Sequence, residues 1–584
     1  MGVQTQRGEA GSNIASAGSS GKSVSRPPRL SVIAPAAERE LVEILGRRNV
    51  SDDPAIVAGY SWATSNGGMP SMQQLLPHRP LAIVLPSSTE EVQAVVKACV
   101  RHNIKFRAHS TGMGSFNAVT QEHVVGIDLR RMNKIVEIDA RNQMAIIEPY
   151  VTAAQLQAET LKVGLTPHII GAGWTHSPLA SATSFGGVGP SGHHTGNNNR
   201  NLMAYEWVTP EGDIVRAGSA GAGAGWFSGE GPGPGFRGMI RGVSGAGGGL
   251  GVFTRIGYKL HPWEGPPVLE HRGVHPQLGI PLDNRMRIYQ IAWDDWEGPK
   301  EAAFEFLNTN APTGIFRVPP DHIGWTLYPT NRAFYEAMIT DSMPEVARRE
   351  NRCAWTLLCV SETDAEADWR ERTIKAIAEK TGGRFVDVAP EHAEVFARNA
   401  VTACYVPRAF RSGPRQVLSS FGVYDSFNLL PEVMERAERI MAPYNETRKT
   451  LYGGGPEEFW MWAIEGRHFW AENIVNCDND TDKSAGDGYA YVLESIDEND
   501  RRPLGVSSFM GGDLFAEMYG RYAGLNDWMA KVKWTFDPKG SADGPYPRGI
   551  KTPVTRIWPL ARKIFFRFPW LLRLAMRMQT RNGK

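Results

Sequence analysis

Along this chain the spacing of apolar and polar positions changes rhythm twice. Residues 36–48 place their apolar side chains at the spacing of an amphipathic helix. From Leu81 onward, short apolar runs alternate with helical stretches. The run 82–85 predicts a strand, and Ser88-Thr-Glu-Glu-Val predicts an N-cap with acids in the first turn of a helix over 88–101. Strands are predicted over 104–108, 124–129 and 144–149, then a helix over 153–163 that Gly164 stops. The βαβ pattern over 82–108 delivers the first glycine loop at the end of a strand, where open α/β sheets collect ligands. After Pro262 the rhythm changes again. Trp263-Glu-Gly-Pro-Pro267 reads as a linker, and 268–500 mixes strand-like runs (286–293, 353–360) with amphipathic helices over 364–381 and 430–441. That mixture predicts an antiparallel sheet backed by helices, so the chain as a whole is of the α+β class.

Three glycine-rich loops punctuate the first part: Ser110-Thr-Gly-Met-Gly-Ser115, Ser184-Phe-Gly-Gly-Val-Gly189 and Ser244-Gly-Ala-Gly-Gly-Gly-Leu-Gly-Val252. Glycine admits backbone N–H groups to distances that a Cβ would forbid, and successive N–H groups form anion-binding nests. One such loop would read as an ordinary strand–helix turn. Three between apolar strands point to a long, phosphate-bearing ligand held at several places. The stretch 218–235 is also rich in glycine and reads as a flexible surface loop; it lacks the Gly-Lys-Ser/Thr ending of a Walker motif.

Composition narrows the classes. A chain of 584 residues calls for about two or three domains. A formal net charge of +1 gives no case for nucleic acid. The five cysteines (99, 353, 359, 404, 477) are scattered, which fits free thiols in a reducing, cytoplasmic compartment. Residues 1–30 are rich in Gly, Ser and Ala without an apolar core, as in a disordered tail rather than a secretory signal. Seventeen tryptophans suggest an aromatic-lined site, although a large core consumes aromatics too.

The order of several phrases then carries a resemblance. Pro86-Ser-Ser-Thr-Glu-Glu-Val, His109-Ser-Thr-Gly112, Ile127-Asp-Leu-Arg-Arg-Met-Asn-Lys-Ile135 and Ile147-Glu-Pro-Tyr-Val-Thr152 come first. Gly187-Val-Gly189, Glu211-Gly-Asp-Ile-Val-Arg216, Gly231-Pro-Gly-Pro-Gly-Phe and Asp537-Pro-Lys-Gly540 follow. Over 76–262 and 505–547 the chain resembles the vanillyl-alcohol oxidase/p-cresol methylhydroxylase superfamily of FAD flavoproteins. The resemblance implies an FAD-binding domain of two α/β subdomains and a cap. Its boundaries would be a tail 1–30, a helical extension 31–75, the FAD domain 76–262, a substrate-binding cap 263–504, a return to the FAD domain 505–550 and a basic tail 551–584. It implies that Ser110, Thr111, Gly112, Met113, Gly114 and Ser115 wrap the pyrophosphate, and that Gly186, Gly187 and Gly189 approach the flavin. Gly251 and Val252 would run past the cofactor. Many relatives attach the flavin to a histidine in an Arg-x-x-Gly-His arrangement. Here His109 follows Arg107 by two residues, with Met113 and Gly114 further along, so non-covalent FAD is expected. Phe116 stands where phenol-oxidising relatives carry a tyrosine. His193 and His194 read equally as a polar turn or as flavin contacts.

Within the cap, Glu465-Gly-Arg-His-Phe-Trp-Ala-Glu472 carries the most chemistry. On a strand His468, Trp470 and Glu472 share one face, which suits a general base over a substrate or, equally, a structural His–Glu pair. Cys477-Asp-Asn-Asp-Thr-Asp482 lacks the EF-hand glycine and glutamate and reads as a turn, so no metal is expected. Residues 515–522 resemble the family segment with a catalytic Tyr–Arg pair, which points to Tyr519 and Arg521; a surface arginine on a helix is the alternative. The segment 557–578 is basic, aromatic and free of acids. It reads as an interfacial helix on the inner face of a membrane, with docking on a second subunit, in a homo-oligomer or otherwise, as the competitor. The whole predicts an oxidoreductase moving hydride from a substrate C–H, of a bulky apolar or aromatic compound or alcohol, to flavin N5. Oxygen, quinone or an electron-transfer protein would be the acceptor. The alternatives are a membrane-associated 2-hydroxy-acid dehydrogenase feeding quinone and a non-catalytic flavin-fold subunit.

Overall fold

The computed structural model describes residues 32–60, 79–111, 119, 121–171, 173–185, 187–230, 249–402, 415–453, 459–478, 481–502, 504, 506–507, 525–544 and 553–582. The first sheet is parallel, with Ala82–Val84, Val124–Asp128 and Lys105–His109 side by side and Val50–Ser51 as an antiparallel edge. The helix Thr89–Arg101 begins where predicted, because the Ser88 side chain accepts from the Glu91 N–H. Its Val92, Val95, Val96 and Cys99 pack on that sheet together with Ala37, Leu41 and Leu45 of the helix Pro35–Leu45. The second sheet is antiparallel, in the order Ile135–Asp139, Met144–Ile147, Val252–Lys259, Leu202–Val208, Ile214–Ala217. A capping box between Thr152 and Gln155 starts the helix Ala153–Thr160, and Gly164, at φ 73°, ends the following turn.

The third sheet has nine strands, antiparallel throughout, built from residues between Met286 and Ser507. Side chains alternate across it. Trp355, Leu357 and Cys359 go to one face, with the helices Glu297–Thr309, Asp364–Thr381 and Leu430–Ala442; Ala354, Leu358 and Val360 go to the other. The helices expected over 364–381 and 430–441 thus pack on the sheet within a residue of their predicted bounds. The second face also takes Val188, from the loop region between the first two sheets and this one.

The glycine-rich stretch lies at the surface from Gly221 to Glu230, most of it exposed, and is anchored at the buried Gly218 and Ser219, whose N–H donates to Ser228 O at 2.9 Å. A Cβ on Gly257 would lie 2.2 Å from the Trp226 carbonyl oxygen, which shows how closely the stretch is seated. Cys477 and Asp478 end a strand rather than forming a turn, and Thr481 caps the helix Asp482–Arg501. Cys99, Cys353 and Cys359 are buried free thiols, and burial raises all three pKa values.

The chain returns late to its beginning. Ser541–Asp543 runs alongside the strand Lys105–His109, with Phe106 N–H donating to Ser541 O at 2.9 Å and Asp543 N–H to Phe106 O at 2.7 Å. A buried ion pair fixes this return. Lys533 bonds the Asp537 carboxylate and donates to Gly249 O at 2.7 Å and Ala542 O at 2.6 Å. Asp537 accepts in turn from the N–H groups of Ser541 and Ala542. Removing one partner of such a pair leaves an uncompensated charge inside the protein. Asp537→Ala should therefore lower stability by about 3–5 kcal/mol in urea denaturation and speed exchange of the Phe106 amide.

Candidate flavin and substrate site

The strand Lys105–His109 delivers Ser110 and Thr111 at its carboxyl end, as the parallel sheet requires. The Ser110 hydroxyl donates to Pro149 O at 2.5 Å, so its proton is engaged. Thr111 Oγ1 accepts from the Ser177 N–H at 3.0 Å, which leaves its own proton for an anion. Gly112, Met113, Gly114 and Ser115 lie outside the described residues, as does Gly186.

Behind the strand end stands a cluster that sequence reasoning missed. Asp128 is wholly buried and accepts from Arg130 Nε at 2.9 Å, Arg130 Nη2 at 2.7 Å and the Tyr60 hydroxyl at 2.5 Å. His109 Nδ1 lies 4.0 Å from the same carboxylate, and the His109 and Tyr60 rings meet edge to face at 5.1 Å. Burial lowers the His109 pKa despite Asp128, and raises that of Tyr60, with the Asp128 hydrogen bond adding to the effect. Asp128 and Arg130 were visible only as parts of a family phrase, and nothing in the text tied Tyr60 to them.

The second loop is built on close backbone approach. Gly171 N–H donates to Val188 O at 2.6 Å, and a Cβ on Gly189 would fall 1.7 Å from the Ile169 carbonyl oxygen. Gly187 N–H donates to Ser181 Oγ at 3.1 Å and its carbonyl accepts from Asn198 N–H at 2.8 Å. The same loop meets the nine-stranded sheet. A Cβ on Gly171 would lie 2.9 Å from the Trp462 ring, and one on Gly192 2.9 Å from Ala463 O. Ile315 N–H donates to Pro190 O, and Glu465 N–H to Gly192 O, each at 3.1 Å. The rings of His193 and His194 meet tilted at 3.9 Å and both reach Pro312 O, at 3.1 and 3.4 Å, so they join the loop to the cap. Burial lowers both pKa values, His193 far below the usual range.

Trp462 belongs to an indole wall. Its ring centroid is 4.6 Å from Trp470 and 5.9 Å from Trp460. In the hairpin register Ile464 opposes His468, Trp462 opposes Trp470 and Trp460 opposes Glu472, so these six residues share the face that meets Gly171 and Val188. His468 sits at the turn of the hairpin and is half-exposed. Partial burial lowers its pKa, and nearby Arg200 adds to this, against the Gly466 carbonyl. His468 and Glu472 are four positions apart along the strand, roughly 13 Å, so the two cannot serve one substrate atom together. Tyr519 and Arg521 lie outside the described residues.

Gly251 adopts φ 103° and its missing Cβ would be 2.3 Å from Val208 O. The Val252 side chain is buried among the apolar residues between the first and second sheets, so only its backbone is available to a ligand. Among the described residues no group of acids, histidines and cysteines is arranged to hold a metal ion, and no helix is long and apolar enough to cross a membrane.

Comparison with known proteins fits this geometry. Residues 80–218 match the FAD binding domain family. The chain is 27% identical over 223 residues to an uncharacterized FAD-linked oxidoreductase of Mycobacterium tuberculosis (38% of this chain, 44% of the relative). It is 32% identical over 212 residues to the flavoprotein subunit of 4-cresol dehydrogenase [hydroxylating] of Pseudomonas putida (33% and 37%). It therefore spans less than half the length of these relatives. Among solved structures, p-cresol methylhydroxylase with substrate bound superposes with a TM-score of 0.65 at 16% identity, over 87% of this chain and 96% of that one. The 4-ethylphenol oxidase of Gulosibacter chungangensis gives 0.65 at 17% identity, over 88% and 98%.

The fold and the matched domain thus define an FAD-binding flavoprotein. Residues 80–218 carry the FAD-binding domain, FAD is its cofactor, and the chain shares the fold of p-cresol methylhydroxylase. The residues present fit that group: a free hydroxyl proton at a strand end and a glycine loop whose closeness a Cβ would abolish. Gly189→Ala must displace either the loop or the Ile169 carbonyl. It should leave the far-ultraviolet spectrum native and lower the flavin absorbance per protein roughly tenfold or more, a loss of the order expected when a close backbone contact opens.

Proposed function

We propose that the protein is an FAD-dependent oxidoreductase acting on a C–H bond of a bulky apolar or aromatic small molecule. The observation that supports this reading most is the indole wall of Trp460, Trp462 and Trp470, laid by the cap directly against Gly171 of the second loop. FAD, when bound, supplies the two-electron acceptor. In this reading Ser110, Thr111 and the loop 112–115 hold the pyrophosphate, while Gly186, Gly187 and Gly189 bring backbone to the flavin. Gly251 and Val252 contribute main chain alone. His468 or Glu472 takes a proton from the substrate, and Tyr519 and Arg521 stabilise negative charge on its oxygen. The electrons leave to oxygen, a quinone or an electron-transfer protein. The flavin is held without a covalent bond, because the first loop has no histidine at the usual anchoring offset. Acid precipitation should then leave the yellow colour in the supernatant, and a yellow pellet would refute it.

A second reading has an observation of its own. Arg398, on the helix Pro390–Thr402, is 6% exposed, its Nε is unpartnered and no carboxylate among the described residues pairs with it. It lies near His271, whose ring meets Trp174 tilted at 5.4 Å, and Gln157 ties Trp174 to the carbonyl of Val401. A buried guanidinium without a counter-charge suits a substrate carboxylate held bidentate. That would favour a 2-hydroxy acid over an alcohol.

One set of variants separates these roles. His468→Gln should lower kcat/KM by roughly 10²–10⁴ with FAD retained. It should also remove an acid limb whose midpoint in the wild type lies below the ordinary histidine value, because a depressed pKa keeps the imidazole neutral and basic until the pH falls further. Glu472→Gln should then leave the rate nearly unchanged; the opposite pattern assigns the base to Glu472, and two silent variants remove the strand from catalysis. Arg398→Met should raise KM for acids and spare alcohols if the second reading holds.

A further inference from the structure

The C-terminal residues form two helices, Pro553–Arg567 and Pro569–Asn582, broken at Phe568 before Pro569. They are not free. They lie against the helix Asp482–Arg501. Arg577 pairs with Asp487 at 3.0 Å, Arg573 with Glu494 at 3.5 Å, and Arg562 with Asp497. The pairs run in opposite order along the two segments, so the packing is antiparallel. A Cβ on Gly486 would stand 2.8 Å from the Arg577 backbone nitrogen, and Leu572 is wholly buried, so the contact is close. Asp487 is itself buried and is also held by Arg448 and Thr450, so the clamp is electrostatically complete.

The clamp uses one side of each helix. The other side carries Leu560, Ile564, Phe568, Trp570, Leu574 and Met578, all exposed, with Leu560 at 67%, Trp570 at 57% and Met578 at 59%. Their spacing of four residues within each helix makes a single ridge. Lys563 and Arg567 are exposed on the same side, and Arg567 lies over the Phe568 ring at 5.9 Å. The segment 553–584 holds eight Lys and Arg and no Asp or Glu.

We propose that this ridge seats the protein on an anionic lipid surface, the cap helix acting as the rigid mount. The ridge is apolar with cations at its border and an exposed tryptophan, the composition that lies in the headgroup–acyl boundary. The competing occupant, a second copy, fits less well. A two-fold interface would set the same patch against itself, bringing Lys563 and Arg567 of both copies together without an acid to meet them. An anionic leaflet supplies the missing charge within the range over which exposed charges act.

The test uses the full-length flavoprotein and co-sedimentation with vesicles of phosphatidylcholine, alone or with about one-third phosphatidylglycerol. Wild-type protein should pellet with the anionic vesicles only, and salt at about 0.5 M should release it. Ile564→Glu with Trp570→Glu, both outward, should weaken partitioning roughly tenfold or more while keeping FAD content and melting temperature. Lys563→Gln with Arg567→Gln should weaken it by a similar factor, about two charges' worth. Protein that stays in the supernatant with anionic vesicles at low salt overturns the proposal. So does a concentration-dependent dimer that the Glu variants abolish without any vesicle binding, since a second copy would then cover the ridge.

Discussion

The constraint on which the structure depends is the absence of side chains where the second glycine loop meets the cap. Gly189 lies against the Ile169 carbonyl, Gly171 against both Val188 and the Trp462 ring, and Gly192 against the Ala463 carbonyl. Each of these would be closed to any other residue without displacement of backbone or of a packed indole. Two backbone hydrogen bonds and the paired rings of His193 and His194 then fasten the loop to the nine-stranded sheet. A glycine loop and the indole wall are thereby held in one piece. The position of the hairpin carrying Trp470, His468 and Glu472 follows from that seam rather than from its own strand order.

Much of the secondary structure was legible because its causes are local. Ser88, Thr152 and Thr363 cap the helices they precede, Gly164 and Gly382 end them in the left-handed region, and the two cap helices follow their apolar spacing. The order of phrases around the glycine loops was enough to reach the flavin domain. What stayed hidden is long-range pairing. Nothing near Lys533 announces that it serves Gly249 and Ala542, and Tyr60 lies 68 positions from the Asp128 it meets. Trp462 reads as one aromatic among many until the missing Cβ of Gly171 is seen beneath it. The surface stretch from Gly218 is met by a glycine of its neighbour: Gly257, on the strand Val252–Lys259, leaves room for the Trp226 carbonyl.

Charge is distributed by the same logic of completion. Asp128, Asp487, Asp537 and Asp543 are buried carboxylates, each met by a cation, two of them also by backbone N–H groups. Arg398 stands apart from this pattern in the cap, and the outward ridge of the C-terminal helices stands apart from it on the surface. In each place the fold sets out chemistry that a partner outside the described chain would complete.

The strand that carries the first glycine loop is the outer member of its sheet, and its open edge is closed by Ser541–Asp543. Arg107 and its buried partner Asp543 are 436 positions apart in the chain. On a ribosome adding about 5–20 residues per second, that strand edge waits roughly 20–90 s for its neighbour. During this time it is an unpaired strand beside a glycine loop with nothing yet to bind, the kind of edge that recruits other chains. The flavin domain, though written early in the sequence, is thus among the last parts of the molecule to be finished. Its maturation is a problem of holding an edge until the chain ends, and an excised N-terminal half would carry that unfinished edge permanently.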